Sequence, residues 1–292
     1  MSIYKHSYRA YTGRLTPVWS RVFVLIRYGY SEIWSSKITV VLFTVSLLPS
    51  IFFLFGIYLA NNPLARALVG AKNVGFTSID AGYFLAMLQI HCWLALVLTS
   101  WIAPRLITFD LADNALPVML SHPISRFGYV AGKFIALFSS LSAITWVPCL
   151  LLFCYQAYAS PQGWTGNHLR LAAGLFAGAL IWILFLSILG IALSSWVKWR
   201  MVATGIIIAA IFIPAGVGGV VSGVLRTKWG MLLNLPITMS LLWQRFLGAA
   251  PSRLGRHVDL PTSAIVFTLI LAAVGCVAML NARIRAREVV RG

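Results

Sequence analysis

Asp110, Asp113 and Asn114 fall within five positions, and Pro123-Ile124-Ser125-Arg126 and Gly132-Lys133 follow them. Two carboxylates and an amide could begin a hard-cation site, but calcium takes roughly six to eight oxygen ligands and no further ones accompany these. A carboxylate just ahead of a helix accepts orphan backbone N–H bonds, so Asp110 or Asp113 is expected to cap one. Gly132-Lys133-Phe134 is the nearest approach to a phosphate-binding loop, yet it lacks the earlier glycine and the hydroxyl residue. The chain contains no HExxH and no GxSxG. His91 has no histidine or carboxylate at helical spacing, which points to packing and not to metal ligation. These residues predict neither a catalytic centre nor a metal site.

The elements that must position them come from composition. The chain has 292 residues, 60% hydrophobic and 10% charged, with mean hydropathy +0.88. Soluble domains carry about 25% charged residues, so the class is all-α polytopic membrane protein. The long unbroken apolar runs exclude a β-barrel, whose strands alternate. Net charge is +17, from 23 Lys and Arg against 6 Asp and Glu. The bases flank apolar runs, where they set orientation and meet anionic headgroups. No groove interleaving bases and aromatics is visible, so no nucleic-acid partner is expected. Cys92, Cys149, Cys154 and Cys276 lie in apolar runs without a CxxC pair and read as small apolar residues.

Six spans are expected at about 38–60, 83–104, 134–158, 171–196, 201–224 and 262–282, each near the roughly 20 residues that cross a bilayer. The first is expected to be a span and not a cleaved signal peptide, because its run is long and 37 residues precede it. No Asp, Glu, Lys or Arg lies near the centre of a span, where a charge costs at least about 2.5–3.5 kcal/mol and marks an ion path. That argues against proton-coupled transport and against hydrolysis by an intramembrane carboxylate. Gln89, Thr99, Ser139, Ser142, Thr145, Ser187, Ser194 and Ser195 are expected to hydrogen-bond between helices or to the backbone. Pro49, Pro148 and Pro214 should kink their spans. Gly174-x-x-x-Gly178 and Gly219-x-x-x-Gly223 permit close helix approach.

With six spans both ends share one side. The first 37 residues hold six Lys or Arg, the tail four, and the 2–3 and 4–5 connections five, against eight on the other side. The positive-inside rule makes the richer side cytoplasmic. Two segments do not span. Residues 16–36 mix Trp19, Trp34 and aliphatic residues with Arg21, Arg27 and Glu32, after a Thr16-Pro17 helix start, and read as an interfacial helix. Residues 229–249 are apolar but broken by Asn234, Pro236, Gln244 and Arg245, and read as short outer helices covered by protein.

The 108–134 unit resembles the region between the second and third spans of ABC-2-type ATP-binding-cassette transporter permeases. The matching residues are Asp110, Ala115-Leu116, Met119-Leu120, Pro123-Ile124-Ser125-Arg126 and Gly132-Lys133. Asp110 stands where that family more often has Glu, and Asn114 where Gly is frequent. The rest of the chain, with its interfacial helix, six spans and outer helices, follows the same pattern over nearly its full length. The resemblance implies a cytoplasmic coupling helix at 108–126 that docks on a separate ATPase subunit. Asp110, Asp113 and Arg126 would be its polar anchors, with Pro123 and Ser125 beside them. Leu116, Met119 and Leu120 would form an apolar ridge for a groove. Gly132 and Lys133 would pass force into the third span. ATP and Mg would sit on the partner, with no cofactor on this chain. The resemblance also implies export, a second permease copy, and a multi-pass place in the cell (inner or plasma) membrane.

Two other functions compete. A membrane assembly or regulatory protein could share the fold and bind an ATPase without transport. An intramembrane lipid enzyme would need paired polar groups facing one cavity, and the sequence offers none.

Overall fold

The computed structural model describes residues 18–68, 79–112, 126–161, 163–250 and 260–283. Among them there is no strand. In chain order the helices are α1 (Val18–Trp34), α2 (Lys37–Asn61), α3 (Pro63–Leu68), α4 (Ala81–Ala112), α5 (Arg126–Ile144), α6 (Trp146–Ala159), α7 (Trp164–Ser194) and α8 (Arg200–Val224). A 3-10 turn (Trp229–Leu233), α9 (Leu235–Leu247) and α10 (Thr262–Arg283) are the last described elements. Among the described residues six helical stretches are long and apolar enough to cross a membrane: Lys37–Asn61, Ala81–Asp110, Phe127–Ala159, Trp164–Ser194, Arg200–Val224 and Thr262–Arg283. The fold is that of an all-α polytopic membrane protein.

Burial sorts the spans. The most apolar window of α7 is 67% buried within the protein, while those of α8 and α10 are each 17% buried. α7 is therefore the central post, and α8 and α10 turn most of their side chains outward. Trp182 on α7 donates its indole N–H to the Cys92 carbonyl of α4 at 2.8 Å, which ties the central helix to α4 at depth. His91 is fully buried, with one ring nitrogen 2.9 Å from the Met87 carbonyl and the other 2.7 Å from the Ser50 hydroxyl of α2. It is a satisfied packing residue, as its isolation in sequence suggests.

Proline acts unequally. The third span is two helices, since α5 stops at Ile144 and α6 starts at Trp146, with Thr145 between them at φ −110 and ψ −93. The Pro148 ring would collide with the carbonyl four residues back, that of Ile144, so the break falls where the steric rule puts it. Thr145 returns its hydroxyl to the Leu141 carbonyl at 2.8 Å. Pro49 and Pro214 sit inside unbroken helices. Pro104 also fails to end its helix: α4 continues to Ala112, eight residues past the expected end of the second span.

The segment between α8 and α10 is not a span. α9 opens on Asn234, whose side chain accepts the Ile237 backbone N–H at 3.1 Å. It ends on Gly248 at φ 68, a left-handed C-cap that glycine adopts without strain. Gly174 and Gly178 receive it. A Cβ on Gly178 would lie 2.7 Å from Trp243 Cδ1, and the Trp243 indole N–H reaches the Gly178 carbonyl at 3.0 Å. The Gly219 and Gly223 pair instead faces open space.

Candidate functional site: a buried ion cluster joining α1, α4 and α5

Three charged side chains far apart in the chain meet at one end of the bundle. Lys133 Nζ lies 2.7 Å from Glu32 Oε2 and 3.0 Å from Asp110 Oδ2. Lys133 is wholly buried, Asp110 is 3% exposed and Glu32 15%. Each comes from a different helix: Glu32 from the last turn of α1, Asp110 from the last turn of α4, Lys133 from the second turn of α5. α4 and α5 flank residues 113–125, and α1 lies across both.

Helical spacing builds the surroundings. Tyr129 precedes Lys133 by four residues and so shares its face. Its hydroxyl donates to Asp110 Oδ2 at 2.7 Å. Tyr28 precedes Glu32 by four, hydrogen-bonds to it, and sets its ring 4.8 Å from the Lys133 ammonium. That adds a cation–π contact to the two ion pairs. Asp110 is a carboxylate at a helix C-terminus, where the dipole opposes negative charge. The Lys133 ammonium and the Tyr129 hydroxyl offset that cost.

One ammonium serves two carboxylates. Burial raises the Glu32 carboxyl above its ordinary 4.5, the pull of Lys133 works against that rise, and the Asp110 charge adds to it. Glu32 thus takes up a proton more readily than an exposed glutamate. Arg105 of α4 secures the same corner from outside, donating to the Glu32 carbonyl at 3.4 Å and to the Ser35 hydroxyl at 3.3 Å. A cation on the last carbonyls of α1 is the favourable end of that dipole.

Backbones approach closely here. Leu25, Gly29 and Ile33 form the buried stripe of α1. A Cβ on Gly132 would come within 2.8 Å of Leu25 Cβ, and one on Gly29 within 2.9 Å of Ala136 Cβ. The two glycines make α1 and α5 cross at contact distance. Tyr30 hydrogen-bonds to the Ser139 hydroxyl one turn further along.

The expected site residues divide. Glu32, Asp110, Gly132 and Lys133 come together. Asp110 does not open a helix: it lies in the last turn of α4, because α4 runs through Pro104, and its carboxylate is turned inward onto Lys133. Trp19, Arg27 and Trp34 lie on the exposed side of α1, Trp34 edge-on to Phe43 at 4.9 Å, and Arg21 lies on the same helix. Arg126 is the first residue of α5. Asp113, Leu116, Met119, Leu120, Pro123 and Ser125 lie outside the described residues. Tyr28, Tyr129 and Arg105 were not anticipated in these roles; the four-residue spacing Tyr28–Glu32 and Tyr129–Lys133 was the available signal.

Chemically the cluster is a clamp. Its ammonium is sealed from solvent, and no group of three or more His, Cys, Asp and Glu among the described residues could hold a metal ion. Compared with known proteins, the chain matches no family model and no curated protein.

Proposed function

We propose that this chain is the transmembrane permease subunit of an ATP-binding-cassette exporter of the ABC-2 type. It works as a pair with a second permease copy and is driven by a cytoplasmic ATPase subunit that carries ATP and Mg. The observation that carries the reading is the Lys133 clamp. It binds α1 to both helices that flank residues 113–125, where the resemblance puts the coupling helix. A push on that connection meets a braced three-helix corner, because a buried ion cluster resists separation of its members. Displacement then runs along α5 to the break at Thr145 and Pro148, where a proline-kinked span can change angle.

Other features fit the same reading. Trp19, Phe23 and Val24 are exposed apolar residues of α1 beside Arg27, the composition of a helix lying in a membrane surface. Arg105, Lys198, Arg200 and Arg283 stand on the side of the cluster, which supports reading that side as the cytoplasmic one, with both termini on it, in the cell membrane. The open face of α8 around Gly216, Gly219 and Gly223 suits close approach by a second copy.

The test is co-expression with ATP-binding-cassette ATPase subunits from the same genome, reconstitution in nanodiscs, and measurement of ATP hydrolysis for wild type, Arg126→Ala, and Leu116→Ala/Met119→Ala/Leu120→Ala. A stable complex whose hydrolysis depends on Arg126 and the apolar ridge is expected. A complex without coupling to hydrolysis would point to a non-transporting assembly or regulatory protein. Absence of any complex would remove the permease reading.

A further inference from the structure

A second feature lies at the other end of the bundle from the ion cluster. A half-open cavity of about 300 Å³ lies between α4, α7 and α9, with Gln89, Trp93, Trp182, Ser240, Trp243 and Gln244 in its wall. Ligand sites span roughly 300–1,000 Å³, so this one suits a small molecule or one end of a longer amphiphile. The wall is made of carbon surface and neutral polar groups. Trp182 and Trp243 meet edge to face at 6.0 Å, and both spend their indole N–H on backbone carbonyls, of Cys92 and Gly178. Their rings are therefore held in place by bonds that do not involve an occupant. At the rim Trp93 stacks on Phe212 of α8 at 6.0 Å.

The polar groups are two amides and a hydroxyl. Gln89 Nε2 donates to Ser240 Oγ at 2.8 Å, bridging α4 to α9, and Gln244 Nε2 lies 3.4 Å from the same oxygen. No Asp, Glu, Lys, Arg or His among the described residues lines the cavity. A charged occupant would leave water and find no counter-charge, an arrangement that proteins avoid. An uncharged occupant with an apolar or planar body gains the indole surface, and a hydroxyl or amide on it can join the Gln89–Ser240–Gln244 chain.

We infer that the α4–α7–α9 cavity is a binding site, within a single copy of the chain, for a neutral amphiphile carrying a hydroxyl or amide. The site stands on its own lining and does not depend on the permease reading, so its test needs no ATPase. The purified chain in nanodiscs is photolabelled with a diazirine-bearing octanol, and the labelled peptides are read by mass spectrometry. Octanol, octanoate and octylammonium serve as competitors of equal length. Label is expected in the peptides that hold Trp93 and Ser240 to Gln244. Octanol should displace it at least about tenfold better than either charged analogue. Ser240→Leu and Ile237→Phe, one turn apart on the α9 wall of the cavity, should each lower it by at least about tenfold. Gly166→Ala, on α7 outside the cavity, should retain the label, and both filled variants should elute and melt as wild type does, which separates occlusion from misfolding. Labelling confined to the outward faces of α2, α8 and α10 would overturn the inference. So would equal competition by octanoate and octylammonium, or full labelling of both filled variants.

Discussion

Replacing Lys133 with Met tests the clamp directly. Methionine keeps the length and apolar stem of lysine and removes only the ammonium. Two carboxylates then face one another, one of them the 3% exposed Asp110 at an unfavourable helix end. Breaking a buried pair by deleting one partner costs about 3–5 kcal/mol, because the surviving charge stays buried without compensation. For a chain of 292 residues that corresponds to a fall in melting temperature of roughly 5–8 °C. The assay is the monodisperse fraction remaining after heating in one detergent at one heating rate, since unfolding of such proteins is a rate process. Neutralising all three members together, Lys133→Met with Glu32→Gln and Asp110→Asn, removes the stranded charges. The melting temperature should then return to within roughly 2 °C of wild type. Glu32→Gln alone leaves Lys133 paired with Asp110 and should be the mildest single change. A Lys133→Met protein that melts within about 2 °C of wild type would refute the reasoning. So would a triple variant no more stable than the single one, which would assign the loss to shape and not to charge.

Two further outcomes follow from the same corner. Gly132→Ala places a methyl 2.8 Å from Leu25 Cβ and must push α1 off α5, at a cost of about 1–3 kcal/mol. Gly166→Ala on α7 meets no atom within 4 Å and should be neutral or stabilising in the same heating assay, so equal behaviour of the two would contradict the crossing geometry. The raised Glu32 carboxyl gives a pH signature. Between its ordinary 4.5 and its higher value in the protein, the folded state holds a proton that the unfolded state has released. Stability of wild type relative to Glu32→Gln should therefore rise as pH falls from 7 into that window. A fall in the same comparison would reverse the sign assigned to burial at Glu32.

Much of the architecture was legible because the bilayer imposes a simple length rule. Lys37–Asn61 and Thr262–Arg283 each match an unbroken apolar run within a residue. The rule fails where a helix outlasts its apolar stretch. α4 carries Pro104 and Arg105 where a span should end, yet it continues to Ala112, because its last turns lie against α1 and α5 and not in solvent. The clamp was illegible as a unit. Glu32 and Lys133 are 101 residues apart, and nothing in local pattern pairs a glutamate of a surface-reading helix with a lysine that opens a span. Each residue drew notice for its own neighbours, and only the tertiary crossing at Gly29 and Gly132 shows that they share one charge balance. The cavity was hidden for a similar reason. Gln89 reads as an isolated polar residue until α9, which carries Ser240, folds back onto Gly174 and Gly178.

That fold-back sets an order of assembly. α9 has 13 residues and is about 20 Å long, too short to cross a hydrocarbon core of roughly 30 Å. Leu235, Met239, Leu242 and Trp243 are nonetheless buried, against surfaces contributed by earlier parts of the chain. Gly178 must already be in place before Trp243 has a carbonyl to bind, and Gln89 before Ser240 has an amide. The bundle of α4, α7 and α8 is thus the mould and α9 the casting. A chain interrupted after α8 would leave its central post with an open groove, and the neutral cavity would come into being only as the penultimate helix closes over it.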